Sequence, residues 1–158
     1  MAEELKEAEI IIRKRHRILE VYDRGKLLKT FSMVLGFAAS GDKEVEGDGK
    51  TPEGEFYVFT KNSESKFHLS LGLNYPTKED AVRGLAAGLI SETDHDDIVA
   101  AVDNGTMPPQ KTRLGGEIYI HGGGTERDWT EGCVAMKDEE IEELFRTIPV
   151  GTHVTILP

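Results

Sequence analysis

Between Glu117 and Met136 the chain reads Glu117-Ile118-Tyr119-Ile120-His121-Gly122-Gly123-Gly124, then a short loop, then Trp129-Thr130-Glu131-Gly132-Cys133-Val134-Ala135-Met136. The run Glu117 to His121, entered from the flexible Gly115-Gly116, predicts a short buried strand that ends on an imidazole and opens into glycine. Cys133 is the single cysteine of 158 residues, so neither an internal disulfide nor a Cys-rich zinc site can be built. A glycine immediately before it permits a tight turn that exposes backbone N–H groups. A thiol, an imidazole able to take its proton and hold the thiolate as an ion pair, and backbone donors for an oxyanion are the requirements of thiol acyl transfer. The same residues also have a plainer reading. A solitary cysteine is commonly a small buried hydrophobe, and a histidine at a strand end commonly makes a structural hydrogen bond. Spacing alone leaves both readings open.

Working outward, Ala8–Arg13 and Arg17–Tyr22 are strand-like runs joined by the polar Lys14-Arg15-His16. The turn signal Asp23-Arg24-Gly25-Lys26 leads to a third extended stretch, Leu27–Leu35, so an antiparallel meander is expected to open the fold. Gly36–Gly54 is rich in glycine and charge and reads as a long surface loop of the kind that usually carries function. Strand character resumes at Glu55–Thr60 and again, weakly alternating, at Ser65–Asn74. Thr77 is placed as a helix N-cap with Asp80 at N3, the helix running to about Leu89, and a second helix is expected over Thr93–Val102. The spacing of Ile141, Leu144, Phe145 and Ile148 predicts a helix over Lys137–Thr147, capped by Asp138, with Glu139, Glu140, Glu142 and Glu143 on a solvated face. Thr152–Leu157 is a final strand. The expected fold class is mainly β with two to three helices (α+β).

Length predicts one domain, with residues 1–8 as an N-terminal tail and 9–158 as the folded unit. Hydrophobic residues at 38% and charged residues at 30% supply an ordinary core, and a domain of this size buries roughly 70% of its unfolded surface. The net charge of −10 argues against nucleic acid or an anionic membrane as partner, because phosphate binding needs clustered Lys and Arg. No apolar run is long enough for membrane insertion, and the start, Met1 to Glu7, lacks the pattern of a signal peptide. A cytoplasmic site of action and an export segment missing from the sequence are both compatible with that start.

The motif His121-Gly122, a variable loop, then Thr130-Glu131-Gly132-Cys133-Val134 resembles the catalytic signature of the L,D-transpeptidase (YkuD-like) family. Lys50-Thr51-Pro52-Glu53-Gly54-Glu55-Phe56 is similar to that family's Thr-Pro-x-Gly-x-Phe segment, and Leu114–His121 to its approach to the histidine. Phe67–Pro76 resembles a segment of the YafK/ErfK-type branch, so the likeness runs over about residues 9–157. The resemblance implies an L,D-transpeptidase-type β-sandwich and a cell-wall enzyme acting on peptidoglycan stem peptides, with carbapenems as covalent inhibitors and no metal or organic cofactor. It implies Cys133 as nucleophile, His121 as general base, the Gly122 carbonyl as its orienting partner, and the N–H groups of Gly132 and Cys133 as oxyanion donors. It also implies a place in the cell envelope or periplasm. The acyl acceptor would be an amine for transpeptidation or water for a carboxypeptidase, endopeptidase or amidase; a catalytically silent wall-binding module is the alternative outside enzymes. Titration separates them at this level: a thiol depressed below about 8.5 marks catalysis, an unshifted one the silent scaffold.

Two positions depart from the family pattern: Glu131 stands where histidine is common, and Ala135 where Arg or Asn is common. A carboxylate aimed at Cys133 would raise its pKa, so Glu131 is expected to point away or to meet a substrate amine. His68, Tyr75 and Trp129 are further substrate-binding candidates, His68 against a structural hydrogen bond and the two aromatics against simple packing. Asp128 either binds a substrate amine or caps a turn. Asp94-His95-Asp96-Asp97 reads as the polar start of a helix more readily than as a metal site.

Overall fold

Ile10, Ile12, Leu19 and Val21 alternate with more exposed residues along two strands and are all fully buried, the two-residue period of a sheet covered on one face. The computed structural model describes residues 1, 3–65 and 67–158; residue 2 of the expected tail and residue 66 of the expected strand 65–74 lie outside the described residues. Strands β1 (Ala8–Arg13), β2 (Ile18–Asp23) and β3 (Lys26–Ser32) form the expected antiparallel meander. The third strand ends at Ser32 rather than Leu35. Ser32 pairs with Ile18, where β2 begins, and the Met33 N–H still donates to Arg17 O at 3.1 Å before the chain leaves this edge. Val34 instead exchanges both backbone hydrogen bonds with Ala135, at 2.9 Å each.

Strand β4 (Gly54–Ser65) is twelve residues long, twice the stretch expected from the sequence, because it serves two sheets in succession. Gly54 to Tyr57 pair with β8 (His153–Leu157), and Val58 onward with β5 (His68–Leu73), with register shifts after Val58 and Asn62. A bulged strand that changes sheets makes the corner of a sandwich. Strands β6 (Tyr119–His121) and β7 (Val134–Ala135) complete the order β3-β2-β1-β8-β4-β5-β6-β7. The bridge from Val34 to Ala135 then brings the segment after β3, at one end of that order, onto β7 at the other.

Helix α1 (Lys78–Ala86) carries the predicted capping box between Thr77 and Asp80, but it stops short of Leu89, and Gly88 in the turn that follows takes a φ of +72°. Helix α2 (Glu92–Asp103) is capped by Ser91, whose hydroxyl accepts from the Asp94 N–H; the expected start at Thr93 is thus one residue late. Helix α3 (Asp138–Thr147) buries Ile141 and Leu144 as predicted. Its cap is Lys137, with no side-chain bond, and Asp138 is already inside the helix. The expected solvated face is only partly so: Glu142 pairs with His68 at 2.8 Å and Glu143 with Lys29 at 2.6 Å. A small second core of Ala81, Ile90, Ile98 and Leu114 lies under α1 and α2. Tyr75, from the main core, ties into it by donating to the Leu114 carbonyl at 2.6 Å. No helix among the described residues is long and apolar enough to cross a membrane.

Candidate active site

Strand β6 sits between β5 and β7, with His121 opposite Ser70 on one side and opposite Ala135 on the other. Side chains alternate along it, so Ile120 enters the core while Tyr119 and His121 share the other face. Ile120 is in register with Val134, which puts Cys133 one step before Val134 and level with Tyr119. Period two therefore places the thiol and the imidazole on one face, two register steps apart. Both line a cavity of about 760 Å³, together with Phe67, Ser70, Tyr119 and Trp129.

The imidazole is held tightly. Its Nδ1 lies 2.5 Å from the Gly122 carbonyl oxygen. A carbonyl can only accept, so Nδ1 carries the proton and Nε2 presents a lone pair. The Phe67 ring stacks on the imidazole at 4.7 Å between centroids, and Trp129 meets it edge-on at 5.6 Å. Burial pulls the His121 pKa below its ordinary value, against a smaller upward effect of the Gly122 bond. The glycine loop behind it is hydrogen-bonded along its length: Gly122 N–H to Phe67 O (3.0 Å), Gly123 N–H to Asp138 Oδ1 (2.9 Å) and Gly124 N–H to Met136 O (3.0 Å). A Cβ on Gly122 would stand 2.5 Å from Asp138 Oδ1 and 2.9 Å from Phe67 O, so glycine is the residue that fits.

The thiol rests on the backbone of the facing strand. Its Sγ–H donates to Glu117 O at 3.3 Å, and Sγ accepts from the Tyr119 N–H at 3.4 Å. Glu117 reaches this pose with φ +56°, a left-handed conformation uncommon for a non-glycine residue. Burial pushes the Cys133 thiol up to about 11; the Tyr119 N–H and the Lys43 charge pull it down, while Glu117 and Glu131 add to the rise. The raised thiol therefore lacks the depressed pKa given above as the mark of catalysis, and the case for an enzyme rests on the geometry of the cavity. Burial disfavours the charged form of both groups, and among the described residues no hydrogen bond joins Sγ to His121.

The turn before the thiol is shaped by Thr130, which is buried. Its hydroxyl donates to Cys133 O at 2.7 Å and accepts from the Gly132 N–H at 3.2 Å. The Gly132 N–H is thus engaged, whereas the Cys133 N–H meets no acceptor among the described residues. Gly132 itself adopts φ +145°, and a Cβ there would lie 2.9 Å from Lys50 O.

Of the other candidates, Trp129 and Glu131 line the cavity, and His68 and Tyr75 do not. Tyr75 is fully buried, its apolar ring serving the core; that corrects its expected role as a substrate wall. His68 is exposed and paired with Glu142. Asp128 receives the guanidinium of Arg17 and the Leu35 N–H, and so anchors backbone rather than reaching the cavity. His95 pairs with Asp96, and the described residues hold no cluster of three or more His, Cys, Asp or Glu able to bind a metal. Sequence reasoning missed Lys43, a buried lysine in the long loop, which lines the cavity. It also missed Asp138 as the partner of Gly123; nothing in the local sequence marks either, because both act across long chain separations.

Residues 7–156 match the profile of the L,D-transpeptidase catalytic domain, YkuD. The chain belongs to the L,D-transpeptidase family. It is 28% identical over 152 residues to YqjB of Bacillus subtilis (strain 168), a protein whose own L,D-transpeptidase designation is provisional; the match covers 93% of this chain and 69% of that one. Among solved structures, the helical cell shape determining protein Pgp2 (K307A mutant) of Campylobacter jejuni superposes with a TM-score of 0.67 at 23% identity. That match covers 98% of this chain and 48% of Pgp2. The L,D-transpeptidase LdtMt1 in complex with imipenem gives a TM-score of 0.54 at 12% identity, over 96% of this chain and 59% of that one. The chain thus spans about half the length of these solved relatives, and at such identities they establish the shared fold.

Proposed function

We propose that this domain is a cysteine-dependent peptidoglycan L,D-transpeptidase of the cell envelope, with Cys133 as nucleophile and His121 as general base. The observation that carries this is the single cavity holding a cysteine thiol and an imidazole whose Nδ1 is committed to the Gly122 carbonyl, leaving Nε2 free to accept a proton. As the thiol attacks the carbonyl after the third residue of a stem tetrapeptide, its proton passes to His121 Nε2 and the S–C bond forms. The charge that develops on the carbonyl oxygen is met by the Cys133 N–H, the donor left free when Thr130 takes the Gly132 N–H. Collapse breaks the C–N bond, the imidazolium returns its proton to the leaving amine, and D-alanine departs from a thioester on Cys133. An acceptor amine then attacks the thioester, passes its proton to His121, and releases the thiol. The Sγ–H bond to Glu117 O is given up as the thiol turns to the substrate carbonyl, so the proton passes to His121 in the attack itself.

The test is incubation with purified tetrapeptide muropeptides, followed by mass analysis of protein and products. A Cys133 acyl adduct with loss of D-alanine is expected, and crosslinked dimers distinguish an amine acceptor from water. Because LdtMt1 is a relative solved with imipenem, a carbapenem adduct is expected as well. It should vanish in Cys133→Ala and form about 10²-fold or more slowly in His121→Ala; wild-type labelling of Cys133→Ala would overturn the proposal.

A further inference from the structure

Among the described residues that line the cavity, Lys43 is the one Lys or Arg, and Glu46, Glu64, Glu117 and Glu131 line it as well. Lys43 is 3% exposed, so its attraction for a charge inside the cavity escapes most of the screening that weakens surface lysines. An ammonium offers three N–H donors. One goes to Asp48 Oδ1 at 3.1 Å and one to Val45 O at 3.3 Å, and among the described residues the third has no acceptor. Asp48 is in turn fixed by the N–H groups of Glu44, Val45 and Lys50 at 2.9, 3.2 and 3.1 Å. The ammonium is therefore held in place by the loop. Its Nζ lies 3.8 Å from the point a Cβ on Gly132 would occupy, beside the turn that presents Cys133.

We propose that Lys43 is a carboxylate-binding residue that takes the free C-terminal carboxylate of the donor peptide, on the residue expelled as Cys133 is acylated. This rests on the reading of Cys133 as nucleophile. In a peptide, that carboxylate carbon is three bonds from the attacked carbonyl carbon and so lies within about 4 Å of it. An ammonium beside Gly132 is at the right place, and the four carboxylates among the described lining residues repel an anion. Lys43 thus sets the direction of the bound peptide, with the C-terminal carboxylate inward beside Gly132 and any free amine facing the glutamates. It also selects donors that end in a free carboxylate over bonds inside a longer chain. The position two residues after Cys133, where the family commonly has Arg or Asn, is Ala135 here, buried and neutral, and a lysine from the distant loop supplies the charge.

The experiment compares a tetrapeptide donor with its C-terminal carboxamide, reading kcat/KM for formation of the Cys133 thioester by intact-protein mass. Wild type should favour the acid by about ten-fold or more, the usual worth of one charge-assisted hydrogen bond. In Lys43→Met that preference should collapse towards one, and Lys43→Arg should keep most of it. Equal rates for acid and amide in the wild type overturn the proposal while leaving Cys133 as nucleophile. So does a Lys43→Met variant that slows both donors alike, the mark of a purely structural lysine. If Lys43→Met does not fold, the wild-type ratio and Lys43→Arg still decide. Failure of wild type to form a thioester with either donor overturns this proposal together with the reading beneath it.

Discussion

Cys133 and His121 each pay for burial in the same currency, the loss of their charged forms, and the two shifts run in opposite directions. A thiol raised from 9.0 to about 11 loses its thiolate fraction at neutral pH, and an imidazole lowered from 6.5 loses its imidazolium. Both shifts work against transfer of the thiol proton to the imidazole, so the proposed mechanism assigns that step to the moment of acyl attack. A consequence can be measured without substrate. The alkylation rate of Cys133 by a small neutral reagent should rise about ten-fold per pH unit from 7 upward and show no plateau below about pH 10, whereas an ordinary cysteine levels off near ~8.5. A plateau at or below pH 8 would contradict the burial described for the sulfur. Thr130 shows why a hydroxyl is useful three residues before the thiol: one oxygen donates to Cys133 O and accepts from Gly132 N–H, closing the turn on itself.

At the scale of elements, α1 and α3 begin with carboxylates that serve different purposes. Asp80 completes a reciprocal cap with Thr77, satisfying two otherwise orphaned N–H groups. Asp138 spends its carboxylate on the Gly123 N–H and so ties the first turn of α3 to the loop that carries the Gly122 carbonyl. Thr77→Ala should therefore cost about 1 kcal/mol in denaturant unfolding and leave acylation nearly untouched. Asp138→Ala should do the reverse in emphasis: a modest loss of stability, but a fall in the acylation rate of about ten-fold as the Gly122 carbonyl loses its support. Equal effects of Asp138→Ala on stability and on rate, with Thr77→Ala as reference, would show Asp138 to be only a helix-start residue. Strand β4 makes the same point about context, since its twelve residues are continuous only because two different neighbours accept its halves.

For the whole molecule, the path from β3 to the site runs through a clamp. Arg17 grips Asp128 through Nε and Nη2, and Asp128 accepts the Leu35 N–H at 3.0 Å, just where the chain crosses to meet Thr130 and Ala135. Burial works against the Asp128 carboxylate, but the Arg17 and Leu35 bonds outweigh it and hold its pKa below the usual value of 3.8. A group with a depressed folded pKa stabilises above the unfolded pKa and loses that contribution as pH falls through the folded one. Asp128→Asn should thus cost about 1 kcal/mol at pH 7, a figure reduced by the partial exposure of Arg17, and the gap to wild type should close below about pH 4. Unfolding curves at pH 7 and pH 3 with an unchanged difference would remove the clamp from the account. Lys14, buried with its ammonium on Gly41 O, Thr51 O and Glu53, pins the long loop at its other end.

Periodicity and turn chemistry are local, and they carried the meander of β1 to β3, the capping box at Thr77 and the buried stripe of α3 directly from the residues. The motif from His121 to Cys133 was legible for the same reason, since both side chains belong to short adjacent segments with a characteristic order. Tertiary structure alone decided which strand closes on which, that Asp138 serves a glycine loop instead of its own helix, and that Tyr75 belongs to the core. It also decided the direction in which the thiol pKa moves, because desolvation depends on everything packed around the sulfur. The same holds for Lys43: its meaning comes from its Nζ lying 3.8 Å from where a Cβ on Gly132 would stand, 89 residues away in the chain and adjacent in space.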